Sequence, residues 1–512
     1  MAPSTSLPLF FFFFSTLFFI SQSQITARNG LMINCGSSRS IVSNGLSWTP
    51  DSSYITTGSS ASLKRPNTDP VFSTLRYFNE TARKSCFVLP VLRGIRYLVR
   101  TAYFYGGFDG RNVPPVFDQI VDGTFWSTVN TSKDYAMNRP SFYELILAAT
   151  RKTISVCVAR NKKTTTYPFI SAIQLIRLEG SVYNSTDFGK HALSTVARHA
   201  FGYGGKTIRF PDDQFDRFWD QFPDNQSFST TSNVSVTGFW NMPPSKVFDT
   251  GLTPKEGKKL ELQWPSVALQ NSSYYIALYF RHHQVPGSPP WRALSVSVNN
   301  VEFYRNLNVT PGGEVVFATR WPLFNFTRIS LSASAQSAVG PVINAGELLQ
   351  IVNLGGRTLT RDVIALEALK RSMLTPPLDW NGDPCLPQEN SWTGVTCYEG
   401  SRVRVVRLNL TGMGISGSLP PLIAKMSALD EIWLGYNKFS GTIPDLRPLK
   451  RLKILHLENN ELNGTIPSTL GMVQNLRELY LQNNNLTGKI PANLRKAGLH
   501  LQISPGNPLL RR

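Results

Sequence analysis

Three ladders of identical residues, repeating every 23 or 24 positions, constrain the fold more than any other feature of this sequence. They consist of the leucines Leu410, Leu434, Leu457 and Leu481, the glycines Gly417, Gly441, Gly464 and Gly488, and the prolines Pro420, Pro444, Pro467 and Pro491. The full unit, LxxLxLxxNxLxGxIP, is most complete in Leu476–Pro491. Because each short coil can bury its leucines only against the next coil, this pattern predicts a leucine-rich-repeat solenoid.

The polar positions of the repeat have two predicted roles. Asn437, Asn460 and Asn484 are expected to turn inward, where their amides can satisfy backbone groups left open at each bend. Side chains between the strand leucines are expected on the concave face, and the candidate partner-binding residues there are Trp433, Tyr436, His456, Arg477 and Tyr480. Such residues are typical of a protein-interaction surface, although so short an array is also compatible with a spacer whose polar face is solvated.

Residues 1–23 are predicted to be a signal peptide. Leu7–Ile20 is an apolar run that is too short for a membrane span and is typical of a signal-peptide core. Ser21 and Ser23 supply small residues near the expected cleavage point. We therefore expect an exported protein that is extracellular or at the cell surface. Membrane association would follow if the N-terminal segment stayed uncleaved or if a longer form exists.

Export gives meaning to the sequons and the cysteines. The predicted glycosylation sites, which we expect on the surface, are Asn79, Asn130, Asn184, Asn225, Asn233, Asn271, Asn308, Asn325, Asn409, Asn463 and Asn485. Cys385 and Cys397 are expected to form a disulfide bond. Cys35, Cys86 and Cys157 leave three single pairings open. No CxxC pair occurs, so no metal site is expected.

The region before the repeats is strand-rich and looks duplicated. Short apolar runs broken by Gly, Pro and Asn clusters predict strands over residues 25–355. Three segment pairs match in order at nearly constant spacing, namely Phe117–Gly123 with Leu294–Asn300, Tyr97–Phe104 with Tyr274–Phe280, and Pro168–Leu175 with Pro341–Leu348. This order predicts two related β-sandwich lobes, which we place at residues 24–185 and 186–358.

A linking region is predicted between the second lobe and the repeats. Thr360–Met373 has apolar residues near helical spacing, and the following stretch is rich in Trp, Pro and Gly. A solenoid needs a cap because its first coil has no neighbour, and a disulfide-closed segment with Trp380 and Trp392 meets that need. The predicted boundaries are a helix and cap at 359–402, four repeats at 403–497 and a tail at 498–512.

Several motifs carry a family resemblance. They are Ile33–Gly36, Cys86–Pro90, Tyr97–Arg100, Phe104–Gly110, Val156–Cys157, Phe169–Ala172, Gly340–Ala345 and the Asp383–Cys385 cap. Together they resemble the ectodomain of the plant malectin-like leucine-rich-repeat receptor kinases. The resemblance implies a mainly β chain, in which two tandem malectin-like sandwiches precede a short solenoid with an N-terminal cap. Since the sequence stops at Arg512 without a membrane helix or kinase domain, it resembles a kinase-less receptor-like protein or a truncated relative.

Resemblance to animal malectin, which binds a disaccharide through aromatic residues and an aspartate, suggests glycan-binding candidates. It points to Tyr77, places Phe87 where malectin has a second tyrosine, and brings Phe108 near the aromatic pair, whereas Thr166 stands where malectin has its aspartate. Sugars need aromatic faces and hydroxyl partners. The candidates of these types are Tyr77, Phe87, Tyr103, Tyr105, Phe108, Asp109, Trp126 and Trp291, the last in a loop set with Arg281–His283 and Arg292 that could bind acidic sugar.

The expected function is recognition without catalysis. No GxSxG, HExxH or P-loop motif is present, and no cofactor is expected. The net charge of +19 is spread along the chain, which favours acidic partners such as a wall or glycoprotein glycan, and we expect no nucleic-acid ligand. We expect an extracellular receptor-like protein that binds glycan or peptide and acts with a receptor kinase through its repeats. The alternative is a secreted structural glycan-binding protein with no signalling role.

Overall fold

The computed structural model describes residues 30–63, 69–79, 82–224, 226–230, 234–284, 287–400 and 402–511. The predicted signal peptide and the sequons at Asn225 and Asn233 lie outside these residues. The described chain is mainly β, as the sequence predicts. Within the described part, no helix combines the length and apolar character needed to cross a bilayer.

The first lobe is a β-sandwich. Its elements are β1 (Leu31–Asn34), β2 (Ile41–Ser43), β3 (Leu46–Pro50), β4 (Ser59–Ser62), β5 (Thr74–Tyr77), β6 (Lys84–Pro90), β7 (Arg96–Tyr103), β8 (Phe117–Val121), β9 (Thr124–Val129), α1 (Ser132–Ala136), β10 (Ser141–Ala148), β11 (Thr153–Ala159), β12 (Phe169–Ile170) and β13 (Ala172–Arg177). One sheet has the order β1-β13-β7-β10 and the facing sheet has the order β6-β11-β8-β9. Alternate apolar side chains of both sheets, such as Val99 and Val156, meet in one core.

The second lobe repeats this plan. Its strands are β14 (His191–Phe201), β15 (Asp220–Phe222), β16 (Ser227–Ser229), β17 (Thr250–Leu252), β18 (Lys259–Gln263), β19 (Leu269–Phe280), β20 (Arg292–Val298), β21 (Val301–Val309), β22 (Glu314–Asn325), β23 (Arg328–Ala333) and β24 (Ala345–Asn353). The sheets β14-β24-β19-β22 and β18-β23-β20-β21 have the same strand order as those of the first lobe. The matched sequence segments fall on equivalent strands, so the predicted duplication is confirmed.

The two sandwiches share one sheet. Strand β10 of the first lobe pairs antiparallel with β14 of the second, with Leu145 opposite Ser194 and Ile146 opposite Leu193. On the side away from the two sandwich cores, the joined sheet is covered by chain segments that contribute Tyr183, Trp219 and Phe248, all fully buried. This continuous hydrogen-bonded sheet fixes how the lobes sit relative to each other.

A buried ionic network crosses the junction between the lobes. Arg100 on β7 and Arg198 on β14 both bind the carboxylate of Glu144 on β10, at 2.5 and 2.7 Å. Arg100 also reaches Asp216 at 3.1 Å, and Arg198 lies 3.6 Å from Glu347 on β24. Buried charges are tolerated only when they are paired and hydrogen-bonded, which this network achieves with groups from both lobes.

The C-terminal part is the predicted solenoid. Its elements are α2 (Thr360–Ser372), β25 (Val395–Tyr398), β26 (Arg404–Asn409), β27 (Ser416–Ser418), β28 (Glu431–Trp433), β29 (Lys438–Thr442), β30 (Ile454–His456), β31 (Glu461–Thr465), β32 (Glu478–Tyr480), β33 (Asn485–Lys489), β34 (His500–Gln502) and β35 (Leu509–Arg511). A concave sheet has the order β25-β26-β28-β30-β32-β34, and a second sheet has the order β27-β29-β31-β33-β35. The cap contains the predicted Cys385–Cys397 disulfide and stacks Trp380 on Trp392 at 5.0 Å.

The inward asparagines are confirmed. The Nδ2 atom of Asn437 donates to the carbonyls of Leu410, Leu434 and Gly435, and its Oδ1 atom accepts from the Ile415 amide at 2.9 Å. Asn460 and Asn484 make the same kinds of bonds one and two coils further on.

The predicted tail at 498–512 is wrong over its described residues, which continue the solenoid. Strands β34 and β35 extend the two parallel sheets, with Leu479 opposite Leu501 and Gly488 opposite Leu510. Asn507 takes the next place in the asparagine ladder, donating to the Leu481 carbonyl and accepting from the Leu486 amide. The repeat pattern did not identify this coil, because more residues separate its strand from Asn507 than separate the strand from the asparagine in the preceding units.

The cap of the solenoid is docked on the first lobe. The ammonium of Lys84 on β6 donates to the carbonyls of Asp383 and Leu386, at 2.6 and 3.1 Å. Burial lowers the pKa of Lys84 to about 8, against the opposite influence of Asp383 and Asp379. The Cα of Gly382 lies against the Cys86–Cys157 disulfide, since a Cβ there would approach the Cys86 sulfur to 2.9 Å. Sandwich and solenoid are therefore in direct buried contact.

The structure shows which of Cys35, Cys86 and Cys157 are paired, and this predicts the number of free thiols in the protein. Cys86 pairs with Cys157 across adjacent strands, and Cys35 is free and fully buried. Burial raises the pKa of the Cys35 thiol well above its ordinary value. We expect Ellman's reagent to find no reactive thiol in the native protein and one per chain in denaturant. A native thiol signal, or more than one on denaturation, would contradict these pairings.

Candidate functional site

Four of the predicted glycan-binding residues lie in the sandwich core. Phe87, Tyr103, Tyr105 and Trp126 are buried, the first two completely. The strands of Phe87, Tyr103 and Trp126 direct these side chains toward the facing sheet, where the Tyr103 hydroxyl donates to Gln119 and the Trp126 indole donates to Ser194. Tyr105 follows the end of β7 and packs in the same core. These four side chains therefore pack in the core, three of them because strand alternation places them on the inward face, and their contact with a ligand stays a prediction.

Two other candidates form a half-exposed aromatic cluster. Tyr77 lies 5.2 Å from Phe108 and 5.8 Å from Tyr167, measured between ring centroids. Asp109 does not face outward, because its Oδ1 atom accepts from the Tyr105 hydroxyl and from the Arg111 amide. Thr166 is buried as well. This cluster offers aromatic surface but no outward carboxylate among these residues.

The loop set of the second lobe is mostly internal. Arg292 and His282 are buried, and the Arg292 guanidinium donates to His282 Nδ1 at 3.1 Å and to the Gly340 carbonyl at 2.9 Å. Burial, with Arg292 nearby, lowers the pKa values of His282 and His283 to about 4, so both rings are neutral at physiological pH. Trp291 is half-buried. The suggested acidic-sugar site is wrong for Arg292, which is occupied within the lobe.

The concave face of the solenoid carries an aromatic column. His456 lies between Trp433, at 4.2 Å, and Tyr480, at 4.1 Å and nearly parallel to it, and Tyr480 contacts His500 at 5.3 Å. His456 is only 6% exposed and supports the column rather than offering a surface. Arg477 is exposed, and Tyr436 is 61% exposed at the turn after its strand. Four of the five predicted concave residues thus present accessible side chains.

Every predicted sequon asparagine that the structure describes lies on the surface. The asparagine is exposed at Asn79, Asn130, Asn184, Asn271, Asn308, Asn325, Asn409, Asn463 and Asn485. Asn463 and Asn485 lie on the second sheet of the solenoid, whereas Asn409 lies on the concave sheet. Whether each carries glycan stays a prediction.

The structure has a cleft between the two lobes that was not predicted from the sequence. It encloses about 670 Å³ and is lined from both sides of the β10–β14 junction by Asp134, Arg139, Pro140, Phe142, Glu144, Thr195, Val196, Ala197, Arg198, His199, Thr207, Arg209, Phe218, Asp220 and Gln221. Phe142 is 41% exposed and meets Phe218 edge-on at 5.1 Å. A concavity of this size at a domain junction is typical of small-ligand sites.

The polar lining of the cleft is held in place. Arg139 pairs with Asp134 at 2.7 Å on one wall, and Asp220 accepts from the Thr207 hydroxyl at 2.9 Å on the other. Burial raises the pKa of Glu144, but the Arg198 and Arg100 guanidiniums outweigh it and lower that pKa to about 2. The cleft thus combines an aromatic side chain with fixed donors and acceptors of both charges. Among the described residues, no His, Cys, Asp and Glu side chains group as metal ligands would.

Comparison with protein families matches most of the described chain. Residues 33–351 match the malectin-like domain, residues 359–398 match the leucine-rich-repeat N-terminal domain, and residues 451–472 and 475–497 match leucine-rich repeats. These segments correspond to the double sandwich, the cap and the middle coils of the solenoid.

Curated relatives include plant receptor kinases. The chain is 31% identical over 477 residues to a probable LRR receptor-like serine/threonine-protein kinase of Arabidopsis thaliana, covering 88% of this chain and 50% of the relative. It is 28% identical over 395 residues to the probable LRR receptor-like serine/threonine-protein kinase MEE39 of the same plant, covering 73% of this chain and 43% of the relative. The chain therefore spans about half the length of the curated relatives it matches.

Solved structures share the double-sandwich fold. The ANX2 ectodomain of Arabidopsis thaliana superposes with a TM-score of 0.54 at 16% identity, covering 63% of this chain and 96% of that one. A structure of the plant peptide RALF23 in complex with FER and LLG2 has a matching chain with a TM-score of 0.51 at 15% identity, covering 63% of this chain and 94% of that one. At these identities the likeness concerns the fold alone.

Proposed function

The chain belongs to the malectin-like domain family, and from this premise we propose that it is an extracellular recognition protein that binds an oligosaccharide in the interlobe cleft. The observation that carries the proposal is the cleft of about 670 Å³ with the exposed ring of Phe142 beside polar groups from both lobes. The malectin-like and leucine-rich-repeat regions are of a non-catalytic kind. Recognition without chemistry is thus the role proposed for the chain.

The lining matches what sugars require. The CH face of a pyranose packs on an aromatic ring, and its hydroxyls pair with carboxylates, amides and guanidiniums. Phe142 supplies the ring, Asp220 and Gln221 supply acceptors, and Arg139 supplies a donor, all on the cleft wall. The pocket volume suits a short oligosaccharide.

The solenoid is the proposed contact with a partner. Aromatic and charged surface on the concave side comes from Trp433, Tyr436, Arg477 and Tyr480, whose residue types are enriched among the hot spots of protein interfaces. Since the curated relatives include receptor kinases, we propose a cell-surface receptor kinase as the partner. If no such complex forms, the alternative is a structural wall protein that acts without a partner.

A peptide is the second candidate ligand. One specific observation favours it, namely that the RALF23 peptide was solved in complex with FER and LLG2, and a chain of that complex shares this fold. An aromatic ring with flanking charges of both signs also suits a peptide. A single binding screen that contains both oligosaccharides and peptides distinguishes the two ligand classes.

Replacing Phe142 with alanine tests the cleft. We expect the affinity for oligosaccharide to fall about tenfold, because one stacked ring contributes about 1.4 kcal/mol to sugar binding. Glycan-array screening of the purified wild-type chain identifies the oligosaccharide, and calorimetric titration of that oligosaccharide into both proteins gives the ratio of affinities.

The matched control is Phe125→Ala. Phe125 is 48% exposed on β9 and does not line the cleft, so its removal should leave the affinity unchanged. Equal losses in both variants, or no glycan bound by the wild type, would contradict the oligosaccharide proposal. Titration at two salt concentrations separates acidic from neutral sugars, because only the former lose affinity with added salt.

A further inference from the structure

The sequon at Asn409 has a position unlike the other described sequons of the solenoid. Asn409 ends β26, and in the concave sheet it lies directly opposite Trp433, which in turn lies opposite His456. Adjacent strands of a sheet are about 4.8 Å apart, and side chains opposite each other point to the same side. Asn409 is therefore the next rung above the aromatic column, on the same face.

The side chain of Asn409 is oriented for modification. Its Oδ1 atom accepts from the Thr411 amide at 3.1 Å, and this bond fixes the carboxamide at the strand end. Among the described residues its Nδ2 atom, which N-glycosylation modifies, makes no hydrogen bond, and the residue is exposed. The glycan would thus leave the sheet on its concave side.

The indole of Trp433 is fixed beside this position. Its Nε1 atom donates to Glu431 Oε2 at 3.0 Å, and Glu431 is in turn held by the Arg407 guanidinium at 2.6 Å. One side of the indole is occupied by His456, at 4.2 Å. No aromatic ring packs on the side toward Asn409 in the described structure, and the Trp433 side chain is half-exposed.

We propose that Asn409 carries an N-glycan whose first N-acetylglucosamine packs on Trp433 and covers the upper end of the aromatic column. CH groups of a sugar on an indole face make a favourable aromatic contact of the kind that orders a glycan core. Of the surface proposed for a protein partner, Trp433 is then occupied by the sugar, and the part left free begins at the following coil, near Lys453 and Tyr480. The glycan thereby determines which coils a partner can reach.

This inference goes beyond the proposed function, since it requires only passage through the secretory pathway and is independent of the cleft. It also distinguishes Asn409 from Asn463 and Asn485. Those two asparagines lie on strands β31 and β33 of the second sheet, away from the aromatic column. Their glycans would have no aromatic ring of the concave face beneath them.

The test compares Thr411→Ala with Thr411→Ser in the chain secreted from plant cells. Alanine destroys the sequon without changing Asn409 or its bond from the residue 411 amide, whereas serine keeps the sequon. Hydroxyl-radical footprinting read by mass spectrometry should show Trp433 oxidised about threefold faster in the alanine variant, since a stacked sugar shields the ring. The serine variant and Asn463→Gln should leave the Trp433 rate at its wild-type value.

Glycopeptide mass spectrometry of the wild type gives occupancy in the same experiment. An unmodified Asn409 overturns the proposal outright. Full occupancy with no change in Trp433 oxidation on Thr411→Ala overturns the packing. Far-ultraviolet circular dichroism of the variants shows that the solenoid is intact, so a general loss of structure is distinguished from loss of the sugar contact.

Discussion

Glu144→Gln is expected to lower the stability of the double sandwich by about 3 kcal/mol, because it breaks a buried ion pair and leaves two arginines short of negative charge. Glu144 is the carboxylate that binds both Arg100 and Arg198, and all three side chains are almost fully buried. Glutamine keeps the size of the side chain and one oxygen acceptor, so the loss reports charge rather than packing. Calorimetry at pH 7 should show the sandwich transition several degrees lower.

The stability difference between the wild type and Glu144→Gln is expected to depend on pH. The pKa of Glu144 is lowered from 4.5 to about 2 in the folded protein, so its stabilising contribution is complete above pH 4.5 and is lost as the pH falls toward 2. The gap in stability between wild type and Glu144→Gln should therefore shrink over that interval. A constant gap from pH 7 to pH 2 would contradict the assignment.

Glu261→Gln is the matched control for Glu144→Gln. Glu261 pairs with Lys259 on the surface of the second lobe, where both side chains are largely exposed. Water screens exposed ion pairs, which contribute little to stability, so this variant should change the transition little. A loss equal to that of Glu144→Gln would mean that burial is not the cause.

The solenoid could be predicted from the sequence because its contacts are local. Each coil packs on the coil that follows it, so the same residue types recur at fixed spacing and the inward role of Asn437 can be deduced from its place in the unit. The duplication of the sandwiches was predictable for a similar reason, since equivalent strands such as β8 and β20 keep similar residues in the same order. The described fold therefore followed largely from internal repetition.

The candidate site could not be predicted in the same way. Residues two apart on a strand share a face, so the pattern groups Tyr103 with its alternate neighbours but does not say whether that face is the core or solvent. Aromatic residues suit both environments, and here Tyr103 and Phe87 proved internal. The cleft depends on the pairing of β10 with β14, which brings Phe142 to Phe218 from distant parts of the chain. No short sequence motif indicates that two residues so far apart in the chain meet in the fold.

Asn437→Ala is expected to destabilise the solenoid by about 3 kcal/mol, although the side chain is polar and small. The substitution removes the donor to the Leu410 carbonyl and the acceptor for the Ile415 amide, and these groups lie inside the coil where water does not replace the amide. The Leu434 and Gly435 carbonyls, to which the same amide donates, keep their bonds from Asn460 and from the Gly412 amide. Each buried group left without a partner costs about 1–3 kcal/mol. In a stack held only by nearest neighbours, opening one coil also uncovers the leucines of the coils beside it.

Hydrogen exchange measures the Asn437→Ala effect at its origin. The amide of Ile415, which donates to Asn437 in the wild type, should lose most of its protection together with the neighbouring strands of the concave sheet. Asn475→Ala is the matched control, since Asn475 is an exposed asparagine of the same solenoid that donates to one carbonyl, that of Lys450. That variant should keep wild-type exchange at Ile415 and lose less than about 1 kcal/mol. Unchanged protection at Ile415 in Asn437→Ala would show that the backbone bonds of the sheets hold the coil without the asparagine, contrary to the role that the ladder assigns to it.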